Sequence, residues 1–371
     1  MSFGYSAEHE ELRQLVRGFL REKSPSHEVR RLMEADDNRD GAVWAQMADQ
    51  LGLQGIAVPA RYGGAGYGPV ELGIVLEEMG RVLLVAPYFA TVALAGQVLA
   101  TSGDEEAKGR WLPGIADGSL TATLAVAEEA GAWDLGEVAA TADPAGDGWV
   151  VSGTKLFVVD GDTADLLLVV ARAAGGLGVF GVEHDAPGVD RAKMDTLDLT
   201  RDLASVILRD TPAVRIGAGQ DAAAWLSEVS DLALAALAAE QIGGAARCLE
   251  LSVEYAKVRE QFGRPIGSFQ AIKHKCANML LEVESGRSAA YHASAAVAEQ
   301  QPDASIAAAL AHAYCSQAFT RAAKECIQIH GGIGYTWEHD AHLYLRRAKS
   351  SELFFGPPSL LRTRLAELAG I

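Results

Sequence analysis

The feature that most constrains the fold is a long Ala- and Leu-rich segment from Asp221 to roughly Gln261, whose pattern is helical throughout. Two adjacent glycines, Gly243 and Gly244, lie inside it. Because an interior glycine costs about 1 kcal/mol relative to alanine in a helix, the pair indicates a close approach by another backbone or by a ligand. Helical patterns continue from this segment to the end of the chain, so we expect a C-terminal helical bundle.

The first part of the chain, from Ala7 to about Gly118, is also helical in pattern. A set of apolar residues near its start recurs at the three-and-four spacing of an amphipathic helix: Leu12, Leu15, Val16, Phe19 and Leu20. A Gly-rich stretch, 61–69, interrupts the pattern, but it lacks the Lys-Ser/Thr of a P-loop and no strand pattern precedes it. We therefore expect a tight helix-to-helix connection there.

The pattern changes near Leu120, where short strand-like runs separated by turn sequences begin. The runs are 121–127, 149–152, 155–159, 166–171, 178–183 and 204–208. The sequence thus predicts an α+β chain of three parts. These are an N-terminal helical domain (1–118), a central β-barrel-like domain (119–218) and a C-terminal four-helix bundle (219–371).

The charge balance argues against a nucleic-acid-binding protein. With 49 acidic and 32 basic residues, the formal net charge is −17, and such a chain repels polyanions as a whole. An anionic ligand such as CoA or a dinucleotide is still compatible, because it needs only a local cluster of Arg, Lys and backbone N–H groups.

Several features predict a cytoplasmic protein. No secretory signal is visible after Met1, and no apolar stretch reaches the roughly 20 residues that a membrane span needs. The cysteines follow no C-x-x-C or metal-ligand spacing, so we expect free thiols in a reducing cytosol and no metal site. They are Cys248, Cys276, Cys315 and Cys326.

Two segments in the last third of the chain carry specific motifs. The first is Arg-Glu-Gln-Phe-Gly-Arg-Pro-Ile-Gly-Ser-Phe-Gln at 259–270, and the second is Gln-Ile-His-Gly-Gly-Ile-Gly-Tyr at 328–335. Both resemble signature segments of the acyl-CoA dehydrogenase family. The resemblance extends over nearly the whole chain and includes the loop at 62–66, Glu-Glu-Met-Gly-Arg at 77–81, Lys-Gly-Arg-Trp-Leu-Pro at 108–113 and Gly-Thr-Lys at 153–155.

The resemblance implies FAD at the junction of the β domain and the C-terminal bundle, with an acyl-CoA thioester as substrate. In the family, a carboxylate removes the α-proton while the β-hydrogen leaves as hydride to flavin N5, which gives the 2-enoyl product. The α-proton is too weakly acidic for a free carboxylate, so such a site must polarise the carbonyl and exclude water. The resemblance also implies electron-transfer flavoprotein as the electron acceptor.

In the family, a neighbouring subunit grips the adenine and pyrophosphate of FAD, and the resemblance places those contacts on both motifs. They are Arg259, Phe262, Phe269, Gln270, Gln328, Ile329, His330, Gly331 and Gly332. Arginine suits a diphosphate because its planar fork makes bidentate, charge-assisted hydrogen bonds. Without the family, Arg259 would be a surface charge and the glycine pair a helix-ending turn.

The sequence departs from the family pattern at the reactive end of the flavin. The usual base is a Glu whose position falls on Phe355, and a second family location for the base falls on Ala233. Neither side chain can take a proton. The loop that touches flavin and thioester is Ala-Glu-Glu-Ala-Gly-Ala-Trp-Asp at 127–134, with Trp133 in place of a small hydroxyl residue. The Trp-x-Thr strand that bonds the isoalloxazine edge is Phe-Val-Val at 157–159.

This chain has lost the family residues at the reactive end of the flavin but keeps those that would contact a neighbour's FAD. A heteromeric enzyme would show this combination. Some actinobacterial members of the family, including those of steroid catabolism, form α2β2 tetramers of two different chains with one FAD per heterodimer. The resemblance therefore predicts a second acyl-CoA dehydrogenase-like subunit as partner and a bulky, for example steroid-derived, acyl-CoA as substrate.

One carboxylate of this chain is a candidate base. Glu240 lies two helical turns after Ala233, about 10 Å along the same face, in an otherwise apolar stretch. A raised pKa from burial would suit proton abstraction, whereas a structural Glu240 would pair with an Arg of a neighbouring helix or subunit. The segment Asp198 to Arg201 leaves a similar choice between contact with acyl-CoA and an Asx-type turn with a salt bridge.

Three functions therefore stay open from the sequence. The first is a catalytic subunit with a relocated base, and the second is a non-catalytic subunit that completes a partner's FAD site. The third is a flavin monooxygenase or oxidase on the same fold.

Overall fold

The computed structural model of the chain describes residues 5–35, 39–129, 131, 133–217, 221–356 and 358–370. Before the β domain, the helices are α1 (Ala7–Lys23), α2 (Ser26–Met33), α3 (Gly41–Asp49), α4 (Pro69–Val82), α5 (Gly96–Thr101) and α6 (Glu105–Ala116). A π-helical segment, Phe89–Ala95, leads directly into α5.

Helix α1 shows how the apolar spacing buries one helical face. Its start is fixed by a capping box between Ser6 and His9, in which Ser6 Oγ accepts a hydrogen bond from the His9 amide. Val16 and Leu20 are fully buried, whereas Leu15 is 54% exposed and lies off the buried face.

The Gly-rich stretch 61–69 is a tight connection into α4, as the sequence predicts. Its backbone folds back on residues 55–58 through main-chain hydrogen bonds. A Cβ built on Gly64 would lie 2.0 Å from the carbonyl oxygen of Val58, so a larger residue does not fit there.

The β domain is a sheet that closes on itself. Its strands are β1 (Ala122–Ala125), β2 (Thr141–Ala145), β3 (Gly148–Val159), β4 (Leu166–Ala173), β5 (Gly176–Glu183), β6 (Val189–Lys193) and β7 (Leu203–Ile216). They are ordered β1-β4-β2-β3-β7-β5, with β6 added to β7. Because β5 pairs with β4 as well as with β7, the sheet is barrel-like.

Two strands, β2 and β6, were not predicted. Both are short and mostly exposed, so neither has the apolar alternation that marks a half-buried strand. The runs 149–152 and 155–159, predicted as separate strands, are parts of β3, which is interrupted by two register shifts against β7. Such β-bulges bend a strand and strengthen its twist, which helps β3 to follow the curvature of the barrel.

The C-terminal part begins with the long helix. It consists of α7 (Ala223–Val258), α8 (Gln270–Ala298), α9 (Ala304–His330), α10 (Ala341–Leu353) and α11 (Pro358–Leu368), with a hairpin of β8 (Glu260–Gln261) and β9 (Arg264–Pro265) between α7 and α8. Helices α7 to α10 pack together as the bundle. The predicted boundary between the second and third parts, at 218 and 219, lies outside the described residues.

The glycine pair of α7 marks a close helix crossing, as predicted. A Cβ built on Gly243 would lie 1.9 Å from the carbonyl oxygen of Glu77 in α4. In return, a Cβ built on Gly80 would lie 2.0 Å from the carbonyl oxygen of Glu240 in α7. Gly244 makes room for an aromatic ring of α9. The close partner of this crossing is therefore another backbone of the same chain.

Helix α7 corrects the expectation that no apolar stretch is long enough to span a membrane. It contains an 18-residue window that passes by length and composition, and 83% of this window is buried inside the protein. Its position in the centre of the bundle accounts for the apolar composition, because a helix buried on all sides is apolar all round.

Candidate functional site

The first motif forms a hairpin that projects from the end of α7. Arg259 is exposed at the C-cap of α7, and its amide donates to the Tyr255 carbonyl at 2.9 Å. Phe262 occupies the hairpin tip, where its side chain is 92% exposed. Phe269 is half-buried with its ring edge-on to Phe262, at 6.1 Å between centroids, and Gln270 is exposed at the start of α8. The hairpin thus presents a cation, an amide and aromatic rings.

The second motif ends α9 and continues into a 3-10 helix, Gly331–Tyr335. Gly331 has φ +63, and Cβ atoms built on Gly331 and Gly332 would meet nothing within 4 Å, so the backbone is accessible. Gln328 is exposed, whereas Ile329 and His330 are buried. Any contact of these two buried residues with a ligand would therefore use their backbone.

The structure brings the two motifs together. The ring of His330 stacks on Tyr255 with centroids 4.4 Å apart, and Arg259 follows one helical turn after Tyr255. His330 Nδ1 donates to the carbonyl of Cys326 at 2.7 Å, which fixes the ring against the bundle. We name the accessible residues of both motifs the hairpin–turn surface: Arg259, Phe262, Phe269, Gln270, Gln328, Gly331 and Gly332.

The hairpin–turn surface fits the dinucleotide part of FAD. Arg259 offers a guanidinium for a diphosphate, and Gln270 and Gln328 offer amide donors and acceptors. The exposed ring of Phe262 offers an apolar face for an adenine, whereas the guanidinium of Arg264 lies 4.2 Å over the ring of Phe269. The open backbone at Gly331 and Gly332 allows a ligand to approach closely.

The position of the family's base is filled by an aromatic pair. Phe355 is 6% exposed, and its ring lies edge-on to the ring of Trp133 with centroids 4.3 Å apart. Both rings line a cavity of about 550 Å³ between β1, α7 and α11. Asp134 also lines this cavity, and its carboxylate caps the turn at Gly136 by accepting from that amide at 2.8 Å. Ala233, the second family location for a base, is fully buried.

The segments that would hold the isoalloxazine lie against each other. Phe157 sits in a bulge of β3 with φ +56, and a Cβ built on Gly131 would be 3.4 Å from its ring. Val159 is buried and has no polar side chain. Ala130 and Ala132 of the same loop lie outside the described residues. Val159 therefore lacks the hydroxyl group that the family pattern places at this position.

A buried ion pair supports the loop that follows β1. Lys155 is fully buried, and its Nζ donates to Glu128 Oε1 at 2.6 Å and to the Val126 carbonyl at 3.0 Å. Burial raises the pKa of Glu128, but Lys155 and the amides of Ala139 and Ala140 outweigh this effect, so that the pKa lies below its usual range. Lys155 of the Gly-Thr-Lys motif thus anchors the loop by pairing with Glu128, a partner that the motif itself does not reveal.

Glu240 is part of a buried network at the junction of the domains. Its two carboxylate oxygens lie 2.5 Å from Arg201 Nη2, and Oε1 also accepts from Arg347 Nη1 at 2.5 Å. Arg347 Nε donates to Asp198 at 2.8 Å, and its Nη2 donates to the Thr200 carbonyl at 2.8 Å. The network joins the segment between β6 and β7 to α7 and α10.

The pKa of Glu240 is lowered, whereas a role as the base would be favoured by a raised pKa. Burial does raise the pKa, but the guanidinium groups of Arg201 and Arg347 outweigh it and hold the pKa below its usual range. A carboxylate stabilised as an anion in this way is a weak proton acceptor. The structure therefore shows the paired, structural form of Glu240 that was the alternative to a base.

The segment after β6 forms the predicted Asx-type turn. Asp198 Oδ1 accepts from the Thr200 amide at 2.9 Å, and its Oδ2 makes the salt bridge to Arg347. Asp198 is 1% exposed, so the turn serves the buried network and does not reach a ligand at the surface.

Sequence reasoning missed Arg347, the centre of this network. The residue lies one turn after Leu343 and one turn before Ser351, and all three are buried on the same face of α10. A charged residue on a buried face requires an acidic partner. The spacing in α10 could therefore have paired Arg347 with Glu240, the acid on the apolar face of α7.

Comparison with known proteins agrees with this architecture. Three family models match successive parts of the chain: the acyl-CoA dehydrogenase N-terminal domain at 6–119, the middle domain at 123–206 and the C-terminal domain at 232–369. The acyl-CoA dehydrogenase IpdE2 of Mycolicibacterium smegmatis is 35% identical over 353 residues, which cover 95% of this chain and 96% of that relative.

Solved structures extend the similarity to three dimensions. A chain of a variant of the Tcur3481-Tcur3483 steroid ACAD superposes with a TM-score of 0.88 at 33% identity and covers 98% of both chains. A chain of the ChsE4-ChsE5 complex from Mycobacterium tuberculosis superposes with a TM-score of 0.90 at 30% identity, covering 100% of this chain and 99% of that chain. Members of the acyl-CoA dehydrogenase family are FAD-dependent flavoproteins and oxidoreductases. The protein therefore belongs to the acyl-CoA dehydrogenase family.

Proposed function

We propose that this chain is one subunit of a heteromeric, FAD-dependent acyl-CoA dehydrogenase and that it completes the FAD site of a catalytic partner. One observation carries the proposal. The position of the base is occupied by Phe355, packed against Trp133, while the hairpin–turn surface, which would reach a neighbour's FAD, remains exposed.

Two carboxylates of this chain that could stand in for the base are engaged elsewhere. Glu240 is held as an anion by Arg201 and Arg347, and Asp134 is committed to the turn at Gly136. The partner subunit would therefore supply the carboxylate that removes the α-proton. When bound, FAD accepts the β-hydrogen of the acyl group as hydride.

The residues of this chain would act by binding and positioning. Arg259 would neutralise the diphosphate and orient it through its planar fork. Phe262 and Phe269 would cover the adenine and exclude water from it. Gln270, Gln328 and the backbone at 331–332 would fix the remaining polar groups of the dinucleotide.

Two similar structures support a heteromeric arrangement and a bulky substrate. One is described as the ChsE4-ChsE5 complex and the other as the Tcur3481-Tcur3483 steroid ACAD. By the same likeness we propose an α2β2 tetramer, a steroid-derived or similarly bulky acyl-CoA as substrate and electron-transfer flavoprotein as acceptor. The free cysteines fit a reducing cytoplasm.

Flavin stoichiometry tests the proposal. The chain is purified alone and together with a family member that retains the Glu base and the Trp-x-Thr strand, and bound flavin is measured by absorbance. We expect almost no flavin on the lone chain and one FAD per heterodimer in the complex. Full loading of the lone chain would overturn the proposal.

Variants of the hairpin–turn surface make the test specific. Arg259→Gln and Phe262→Ala should each lower FAD retention by the complex about tenfold, because one charge-assisted hydrogen bond or one stacked ring is lost. The matched control is Arg321→Gln on α9, an exposed arginine paired with Glu282 at 3.0 Å. Equal FAD retention in all three variants would contradict the assigned role of the surface.

A further inference from the structure

We propose that the chain has a second ligand site, for a phosphate monoester with a compact apolar group, in a cavity among α1, α2, α4, α7 and α10. The cavity has a volume of about 360 Å³ and shares no lining residue with the hairpin–turn surface or with the 550 Å³ cavity beside Phe355. Its volume lies within the range of small-molecule pockets.

The cavity wall concentrates positive charge in an acidic protein. Its charged lining residues are four arginines and two acids: Arg17, Arg21, Arg81, Arg247, Glu78 and Asp340. The chain as a whole carries a net charge of −17. A local excess of guanidinium groups in such a chain favours an anion at this position.

The arginines keep hydrogen-bond donors for a ligand. Among the described residues, Arg247 donates through Nη1 alone, to Glu250 and Glu254 of its own helix. Arg81 holds Glu250 through Nη2, with both oxygens at 2.7 Å. In the described part of the chain, Arg21 at the rim has no ion-pair partner. A guanidinium has five N–H donors, so each of these side chains can still bind an oxygen of a phosphate.

Two helices begin at the wall of the cavity. Helix α2 starts at Ser26 without a side-chain hydrogen bond to its first turn, whereas the first amide of α10, at Ala341, donates to His339 Nδ1 at 3.1 Å. Residues at both starts, including Pro25, Ser26 and Asp340, line the cavity. Helix N-termini carry a partial positive charge and unsatisfied N–H groups, which adds to the field of the four arginines.

The remaining wall is apolar and defines the second half of the ligand. It is formed by Leu20, Val29, Val82, Leu83 and Leu343. Val82 is half-buried and the other four residues are buried, so the exposed apolar surface is small. A phosphate monoester with a small ring or short chain would cover this surface, whereas a bare inorganic anion would leave it in contact with water. The geometry therefore favours an amphipathic organic phosphate.

Phenyl phosphate is a suitable probe, with inorganic phosphate and phenol as its two halves. Binding is measured by isothermal titration calorimetry at fixed ionic strength, on the chain in complex with its partner and on the full chain alone. We expect saturable binding of phenyl phosphate that is clearly tighter than that of either half. No saturation would overturn the proposal, and equal affinity for inorganic phosphate would overturn the apolar half of it.

Three variants locate the site. Arg21→Gln and Arg247→Gln should each weaken phenyl phosphate binding about tenfold, since each removes a charged donor. Ser26→Asp should abolish binding without lowering the melting temperature, because an acid in the first turn of α2 stabilises the helix yet repels the phosphate. The control is Arg110→Gln, an exposed arginine paired with Glu183 at 2.6 Å. Affinities equal to the control in all three variants would refute the site.

The test does not depend on the proposed FAD role. Phenyl phosphate binding is measured in the presence and absence of flavin, whereas the FAD proposal is judged by flavin stoichiometry alone. Each proposal can therefore fail while the other stands.

Discussion

The ring of Phe355 meets the ring of Trp133 edge-on, with centroids 4.3 Å apart and planes at 84°. In the family pattern, one of these positions carries the base and the other a small hydroxyl residue. The two departures are thus coupled in the structure, because each aromatic ring fills space beside the other. Restoring one of the family residues alone would leave its neighbour partly unpacked.

The coupling can be measured with a double-mutant cycle. Phe355→Ala should lower the free energy of unfolding by about 3–5 kcal/mol, because the removed ring is buried. The loss in the double variant Phe355→Ala/Trp133→Ala should be about 0.5–1.5 kcal/mol smaller than the sum of the two single losses, because either change alone already breaks the ring pair. Urea unfolding of the four proteins gives the coupling energy. Strictly additive losses would show that the rings do not stabilise each other.

A second prediction separates structural from catalytic roles of Glu240. Glu240→Gln should cost about 3–5 kcal/mol of stability, because Arg201 and Arg347 would remain buried without their carboxylate. The control is Glu284→Gln. The side chain of Glu284 is 56% exposed and pairs with Arg287, so this change should alter stability little. A stable Glu240→Gln enzyme that has lost turnover would instead restore the base hypothesis.

The same network predicts a pH dependence. Because the pKa of Glu240 is lowered in the folded protein, its contribution to stability is present above the unfolded pKa, roughly 4.3. It is lost as the pH falls through the folded pKa. Acid unfolding followed by circular dichroism should therefore be less steep for Glu240→Gln than for the unchanged protein. Parallel acid transitions would contradict the assignment.

Much of the fold follows from the sequence. The order of helical, β and helical parts is confirmed, because the change from helical spacing to short strand-like runs near Leu120 reflects burial on one face of each element. The glycine pair at 243–244 predicted a close approach because glycine is costly inside a helix, and the structure shows that approach at the backbone of α4. Strands β2 and β6 escaped prediction because both are short and mostly exposed and therefore carry no apolar alternation.

The site could be predicted only in part. The sequence alone shows that Phe355 and Ala233 cannot act as bases, since the chemistry of the side chain decides this. The direction of the pKa shift of Glu240 could not be read from one helix, because Arg201 and Arg347 reach it from the β domain and from α10. The apolar surroundings in the sequence correctly indicated that Glu240 is buried. The effect of burial on its pKa is outweighed by the charges of these two arginines, which come from distant segments.

Asp160 gives a fourth prediction, at the opposite end of the pH range. Burial raises its pKa to about 8, and Asp202 and Asp162 add to the rise against the opposing charge of Arg201. The folded protein then holds the proton more tightly than the unfolded chain. The resulting stabilisation is full below the unfolded pKa of roughly 3.9 and is lost as the pH rises through about 8.

Asp160→Asn should remove this loss. The neutral amide has the same shape, so the variant should gain stability relative to the unchanged protein as the pH is raised from 5 to about 8. Urea midpoints measured across that range check the prediction. Asp143→Asn, at an exposed position of β2, is the control and should follow the unchanged protein. An identical profile for Asp160→Asn would exclude a buried, protonated carboxyl group.

The last prediction concerns the crossing of α4 and α7. Gly243→Ala places a Cβ 1.9 Å from the backbone oxygen of Glu77, and backbone cannot rotate away as a flexible side chain can. The helices must separate, at a cost of about 1–3 kcal/mol or more. Separation would also strain the ion pairs of Glu77 with Arg13 and Arg287, at 2.6 and 2.9 Å.

The matched change Gly18→Ala in α1 meets nothing within 4 Å and should stabilise the protein by about 0.5–1 kcal/mol. Thermal unfolding should therefore shift in opposite directions for the two variants, and a shift of the same sign would disprove the close crossing.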